Sequence, residues 1–438
     1  MSVIYTKDWN HIDSRPLPDW FDKAKLGIFI HWGIYSVPAY APRRSEVERT
    51  GLAYAEWYGW QIKQKYPPYY DFHKRIYGEN VRYEDFAYQW KAELFDPDQW
   101  AKLFRRAGAR YVTLVSKHHD GFCLWPSRYS WNWNSVDIGP HRDLVGELLD
   151  AVERHGMKRG LYYSLLEWSH PVMQVPDPAK ADIASYAREK MIPQLKELVE
   201  AYRPSVLFAD GEWSYPSEQW HSLDFVTWLY NESSVRDEIV INDRWGSDTR
   251  GLHGGYLTSE YGEVNSPYID EEGARNNMRR RKWEENRSIG NSFGYNRNEA
   301  VEDYLTEKEL IHLLADVVSR GGNLLLNVGP RADGTIPLLV QERLVQLGEW
   351  LDVNGDAIYG SRPADVCRLP ADVFATERDG KLYIMFKKYP KEEVRIEHPL
   401  ICESSSVRLL GSDAPVACGP APGEIRFSAP RLTVDEMP

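Results

Sequence analysis

From about residue 20 to about residue 350 the chain alternates short apolar runs with amphipathic stretches, a pattern that predicts a parallel sheet covered by helices. Leu26-Gly27-Ile28-Phe29-Ile30 reads as a strand that ends at His31-Trp32-Gly33. Pro97 to Ala107 reads as a helix with Trp100, Leu103 and Phe104 on one face. Tyr111 to Val115 is the next strand, ending at Lys117-His118-His119-Asp120-Gly121. A helix follows near Arg142 to His155, stopped by Gly156, then a strand at Gly160 to Ser164 and a long helix over Pro178 to Tyr202. Val206-Leu207-Phe208-Ala209 carries Asp210 on its end, a helix lies near Leu223 to Asn231, and Glu238 to Asn242 reads as a strand running into Asp243-Arg244-Trp245. A helix at Glu307 to Ser319, a strand at Asn323 to Val328 and a helix near Val340 to Val353 complete the series. The number of units favours a (β/α)8-type barrel. Tyr54 to Arg82 and Ser247 to Arg287 are long and irregular, so the barrel is expected to be distorted, with long loops at its mouth.

After about Ser361 the pattern changes. Val373 to Arg378 and Lys381 to Phe386 flank Asp379-Gly380, a strong hairpin signal. Val394 to Ile396, Val407 to Leu410 and Glu424 to Phe427 read as further short strands. The expected organisation is a catalytic (β/α)8-like barrel over residues 1–360 and a small C-terminal antiparallel β-sandwich over 361–438.

Composition excludes several classes. No stretch approaches the roughly 18 apolar residues that span a bilayer. A net charge of −12 argues against a nucleic-acid partner, and Arg279-Arg280-Arg281-Lys282 reads as a solvated surface patch. The N-terminus lacks a basic-then-apolar leader, which suggests a cytoplasmic protein or one whose leader has been removed. Cys123, Cys367, Cys402 and Cys418 show no pairing or metal-type spacing and read as free thiols. The 17 Trp and 27 Tyr suit a ligand with apolar faces and hydroxyl edges, as a sugar ring has.

In a parallel barrel the chemistry sits at the C-terminal ends of the strands. Asp210 ends an apolar strand there, between aromatic and glycine neighbours, in surroundings that suit a nucleophilic or acid–base carboxylate. Glycoside hydrolysis needs a second carboxyl group. Glu260, in Tyr256-Leu257-Thr258-Ser259-Glu260-Tyr261, is one candidate, with Glu56, Glu167, Glu212 and Glu263 competing. Adjacent histidines rarely chelate one ion, so His118 and His119 fit hydrogen bonding to sugar hydroxyls better than a metal site, and His31 joins them. Structural roles stay open for each histidine. Arg244 is either an ion-pair partner of Asp243 or a donor facing the site, and Lys117 is equally open. No phosphate loop and no Gly-x-Ser-x-Gly elbow is present.

Together these segments resemble the α-L-fucosidases of glycoside hydrolase family 29. The resemblance runs through Gly27-Ile28-Phe29-Ile30-His31-Trp32-Gly33, Tyr54-Ala55-Glu56-Trp57-Tyr58, Lys117-His118-His119-Asp120-Gly121, Asp210-Gly211-Glu212-Trp213, Asn242-Asp243-Arg244-Trp245-Gly246, Ser292-Phe293-Gly294-Tyr295 and Gly321-Gly322-Asn323. It implies a retaining exo-glycosidase that releases terminal α-L-fucose from oligosaccharides or glycoconjugates, with no metal and no cofactor. By the same resemblance Asp210 is the nucleophile and Glu260 the acid/base. His31, Glu56, Trp57, His118 and His119 hold the sugar hydroxyls, Tyr163 and Arg244 are further pocket residues, and Phe29, Tyr54, Tyr261 and Phe293 form the patch for the C6 methyl. Phe208 departs from the tryptophan common among relatives. The rival readings are a metal-dependent amidohydrolase-type barrel and a non-catalytic fucose-binding protein.

Overall fold

The computed structural model describes residues 3–432 except 176, 265, 367, 368, 370 and 371, so Cys367 lies outside the described residues. Eight parallel strands form one curled sheet: β1 (Leu26–Ile30), β2 (Tyr111–Lys117), β3 (Lys158–Ser164), β4 (Val206–Asp210), β5 (Val240–Ile241), β6 (Leu257–Glu260), β7 (Trp283–Ser288) and β8 (Asn323–Val328). Their order is β5-β4-β3-β2-β1-β8-β7-β6. Helices cover the outside. Pro97–Arg106 is capped by Asp96, which accepts from Gln99 N, and buries Trp100, Ala101 and Phe104. Leu144–Arg154 is capped in the same way by Asp143.

Alternation along each strand divides the core in two. Phe29, Tyr111, Val115, Tyr162, Val206, Phe208, Val240, Tyr256 and Leu325 fill the barrel interior. Ile28, Leu114, Leu161, Tyr163, Leu207, Ile241 and Leu326 belong to the larger outer layer against the helices. Asp210 therefore shares the inward phase of Val206 and Phe208.

The barrel is not hydrogen-bonded all round. Between β5 and β6 the backbone closes through Tyr256 N to Ile241 O at 3.0 Å. Gly255 makes that approach possible, because a Cβ there would stand 2.3 Å from Ile241 O. Arg281 reinforces the seam from outside, donating to the carbonyls of Leu252 and Gly254. Half of the basic run is thus structural rather than simply solvated, since Lys282 also donates to Asp22 at 2.7 Å.

Several elements differ from the sequence expectation. The long helix is interrupted: Ile183–Tyr186 and Ile192–Tyr202 flank a π turn at Ala187–Met191. Pro193 accounts for the break, since it lacks the N–H that a continuous α-helix would use. Strand β7, Trp-Glu-Glu-Asn-Arg-Ser, lies inside a stretch expected to be irregular. Its polar side chains conceal it from an apolar-run criterion, yet all but Arg287 are buried. Val407 to Leu410 is not a strand. Instead β13 (Cys418–Ala421) joins β12 (Val394–Glu397) and β14 (Glu424–Phe427) in one antiparallel sheet. A second sheet comprises β9 (Arg362–Pro363), β10 (Val373–Arg378) and β11 (Lys381–Phe386). Side chains of both sheets share one apolar cluster around Ile396, Ile401, Ile425 and Phe427, which makes the pair a sandwich.

Gly255→Ala should force the seam apart, with a loss of stability of about 1–3 kcal/mol on chemical denaturation, whereas Gly419→Ala, where an added Cβ meets no neighbour, should have little effect.

Candidate active site

The C-terminal ends of the strands converge on Asp210. It is the last residue of β4, 8% exposed, and its two oxygens are held differently. Oδ1 accepts from Arg244 Nη1 at 3.0 Å. Oδ2 accepts from the Tyr162 hydroxyl at 2.8 Å, with His119 Nε2 at 3.7 Å. Burial opposes the charge, but Arg244, then His119 and Arg250, outweigh it and hold the carboxyl down at about 2. Asp210 is thus a buried, oriented anion.

Glu260 ends β6 and lies near the same guanidinium. Arg244 Nη2 stands 3.4 Å from Oε2, while the Tyr54 hydroxyl donates to Oε1 at 2.9 Å. Arg244 also donates through Nε to Thr258 Oγ1 at 3.0 Å, and its guanidinium lies 5.2 Å over the Phe208 ring. Asp243, the alternative partner for Arg244, instead accepts from Gly251 N and the Thr258 hydroxyl.

The histidines are buried and neutral. Asn327 uses its amide to donate to Phe293 O and Ser288 Oγ, so its Oδ1 accepts from His31 Nδ1 at 2.7 Å. Ser164 donates to Leu166 O, so its oxygen accepts from His119 Nδ1 at 2.6 Å. Each ring then keeps Nε2 as an acceptor. Burial lowers His31 to about 3 and His119 to about 4, and pushes His118 well below the usual histidine range. The His118 ring stacks on Tyr162 at 5.9 Å, and its Nδ1 has no partner.

Glu56 and Trp57 come from the long loop after β1. Glu56 Oε2 accepts from Gly294 N at 2.7 Å and from the Ser292 hydroxyl at 3.3 Å. Burial raises its carboxyl to about 7 against those hydrogen bonds. Trp57 is half-buried, with ring centroids 5.3 Å from Trp168, 5.7 Å from Trp213 and 5.7 Å from His119. Phe293 is the centre of an apolar patch, 4.9 Å from His31, 5.4 Å from Tyr54 and 5.7 Å from Tyr261. Phe29 lies beneath His31 at 4.6 Å and meets Phe208 at 5.2 Å.

Tyr163 does not reach this group. It points outward, donates to Gln194 at 2.8 Å and carries Lys117 3.9 Å over its ring. Tyr162, one residue earlier, faces Asp210, since neighbouring strand residues take opposite faces. Counting back in steps of two from a strand end in register with Asp210 would have found it; the pairing is Ser164 with Asp210 and Tyr162 with Phe208. Sequence reasoning also missed Asn327, Ser164 and Thr258, which orient the histidines and Arg244. Of the competing carboxylates, Glu167 is locked behind the site between Lys117 and Lys190, each at 2.6 Å. Glu212 is buried beside Arg250, and Glu263 lies on an exposed turn. Among the described residues, no group of three or more His, Cys, Asp and Glu side chains is placed to hold a metal ion. A surface cleft of about 450 Å³, lined by Ser36, Tyr295, Arg297 and Arg331 among others, includes none of the residues that converge on Asp210.

A parallel barrel with two carboxyl groups at its mouth, ringed by neutral imidazoles and aromatic faces, defines a barrel-type glycoside hydrolase. Comparison with known proteins narrows the class. The family model described as Alpha-L-fucosidase matches residues 2–356. Human tissue alpha-L-fucosidase is 40% identical over 440 residues, 99% of this chain and 90% of that protein. Rat plasma alpha-L-fucosidase is 42% identical over 447 residues, covering 100% of this chain and 92% of the relative. The structure of Thermotoga maritima alpha-fucosidase with a mechanism-based inhibitor superimposes with a TM-score of 0.81 at 40% identity, over 97% of this chain and 96% of that one. The chain belongs to the α-L-fucosidase family.

Tyr162→Phe should lower kcat by about tenfold, the effect of one hydrogen bond to a charged group, while Tyr163→Phe leaves kcat unchanged and costs about 1 kcal/mol of stability. Arg244→Met should destabilise the fold by about 3–5 kcal/mol in equilibrium unfolding, because it strands a buried carboxylate.

Proposed function

We propose that this chain is a retaining exo-α-L-fucosidase that hydrolyses terminal α-L-fucose from oligosaccharides or glycoconjugates through a covalent fucosyl-enzyme. The observation that carries this reading is the pair Asp210 and Glu260, on separate strand ends yet sharing one guanidinium. In the first step Asp210 attacks the anomeric carbon as its bond to the leaving oxygen breaks, and Glu260 gives its proton to that oxygen. In the second, Glu260 takes a proton from water, the water oxygen bonds to the anomeric carbon, and the ester to Asp210 breaks. One negative charge thus leaves Asp210 and appears on Glu260 in the first step, then returns. Arg244 touches both carboxylates and can follow it without moving far.

The neutral histidines supply acceptors for sugar hydroxyls, and Glu56 and Trp57 add a carboxyl and an indole from the other wall. Phe293, Tyr54, Tyr261 and Phe29 offer an apolar surface for the C6 methyl that distinguishes a deoxy sugar. Solved relatives carrying fucose and a mechanism-based inhibitor support the assignment.

Asp210→Gly should lose about 10⁴-fold or more in kcat on 4-nitrophenyl α-L-fucoside, with azide restoring turnover as β-fucosyl azide. NMR of the wild-type reaction should show α-fucose forming first; β-fucose as the first product would overturn retention. Glu260→Ala should lose about 100-fold more activity on natural glycosides than on aryl fucosides with good leaving groups, and equal losses would move the acid/base role to another carboxyl.

A further inference from the structure

Two residues beyond the nucleophile, Glu212 is 1% exposed, and neither of its carboxylate oxygens has a hydrogen-bond partner. Arg250 Nη1 stands 3.6 Å from Oε1, and Arg250 is itself buried with an unpartnered Nε. A buried ion pair kept for stability alone would close to hydrogen-bond distance, so this loose pair calls for another explanation. The local fold does not use the carboxyl group: Trp220 Nε1 and Tyr215 N donate to the Glu212 backbone carbonyl instead. The charges acting on Glu212 are those of Arg250, Asp210 and Arg244. Arg250 also acts on Asp210, so this cation lies within electrostatic reach of the reacting atoms.

We propose that Glu212 is a positioning residue for charge: as a carboxylate it cancels Arg250 beneath the sugar, so that positive charge can develop at the anomeric carbon. The proposal rests on the double-displacement reading above. Glycosidase transition states are oxocarbenium-like. Asp210 and Arg244 already form a neutral pair, and an uncancelled Arg250 would raise the energy of a second cation nearby. With Glu212 ionised that penalty disappears; with Glu212 protonated it returns.

The pH consequence has a definite sign. Burial pushes the Glu212 carboxyl up to about 7, with Arg250 opposing, whereas Asp210 at about 2 stays ionised across the working range. Acidification therefore protonates Glu212 long before the nucleophile, and kcat/KM rises with pH through the ionisation of Glu212. Glu56 is raised to a similar value, but it lies on the opposite wall against Gly294 and Ser292, so variants separate the two.

The test is kcat and KM against pH on 4-nitrophenyl α-L-fucoside for the full chain and for Glu212→Gln, Glu212→Asp and the double variant Glu212→Gln/Arg250→Met. Glu212→Gln should lower kcat on the order of tenfold with little change in KM, and should flatten the acid limb. Glu212→Asp should keep a limb at a shifted midpoint. The double variant should recover most of the lost kcat, because it removes the cation along with the need to cancel it. A folded Glu212→Gln with the wild-type acid limb, or a double variant no faster than the single one, would overturn the proposal. If Glu212→Gln does not fold, an unmoved midpoint in Glu212→Asp overturns it instead. Azide rescue of Asp210→Gly reports on the nucleophile independently, so either idea can fail while the other stands.

Discussion

A single buried guanidinium organises the mouth of this barrel. Arg244 sits beyond the two-residue strand β5, beside the β5–β6 gap in the hydrogen-bonded order of the barrel sheet. It reaches Asp210 on β4 and both Thr258 and Glu260 on β6, and so replaces with side chains the pairing that β5 and β6 do not make. Thr258 passes the connection on to Asp243, and Gly251 N closes the other side of that carboxylate. Asn242 does the same for β4 and β5, exchanging two hydrogen bonds with the backbone of Ala209. Desolvating these charges is expensive, and the expense is offset only because each carboxylate finds a donor whose geometry the strands already fix.

That arrangement concentrates charge in a buried pocket without filling it with cations. Asp210 needs nearby cations to remain ionised in a buried place, yet a cluster of cations would oppose the proposed double displacement, whose transition state builds positive charge. The structure meets both demands by spending Arg244 directly on the carboxylates, keeping the three histidines neutral through burial, and setting Glu212 beside the remaining Arg250. Neutral imidazoles oriented by Asn327 and Ser164 present acceptors of fixed direction, which a hydroxyl-rich ligand can use and an apolar one cannot.

Much of this was legible from local pattern. Runs such as Leu26–Ile30 and Val206–Asp210 are buried throughout, so their composition alone announces a strand covered on both faces, and the residue that follows or ends the run is placed at the mouth. His31, His118, His119 and Asp210 were singled out in this way, with Arg244 left open between Asp243 and the site. The method failed where its premise failed. β7 is polar because Glu284 and Glu285 face buried hydroxyls, with Tyr111 donating to one and Ser259 to the other, so a barrel strand can be filled with carboxylates that no hydropathy pattern reveals. The resemblance pointed to Tyr163, but strand register places its neighbour Tyr162, in phase with Phe208, on the side facing Asp210.

By itself, then, the chain's order of apolar and amphipathic segments determined a parallel barrel with an antiparallel appendix, and the position of polar residues at run ends determined which face carries the chemistry. What surrounds each of Glu56, Glu167, Glu212, Glu260 and Glu263 was decided by tertiary structure alone. A carboxyl group takes its role from what surrounds it, and those surroundings come from segments far apart in sequence: Lys117 and Lys190 for Glu167, Arg250 for Glu212, Arg244 and Tyr54 for Glu260. Electrostatic and hydrogen-bond energies depend on distances of a few ångströms through space, and a linear sequence contains none of them.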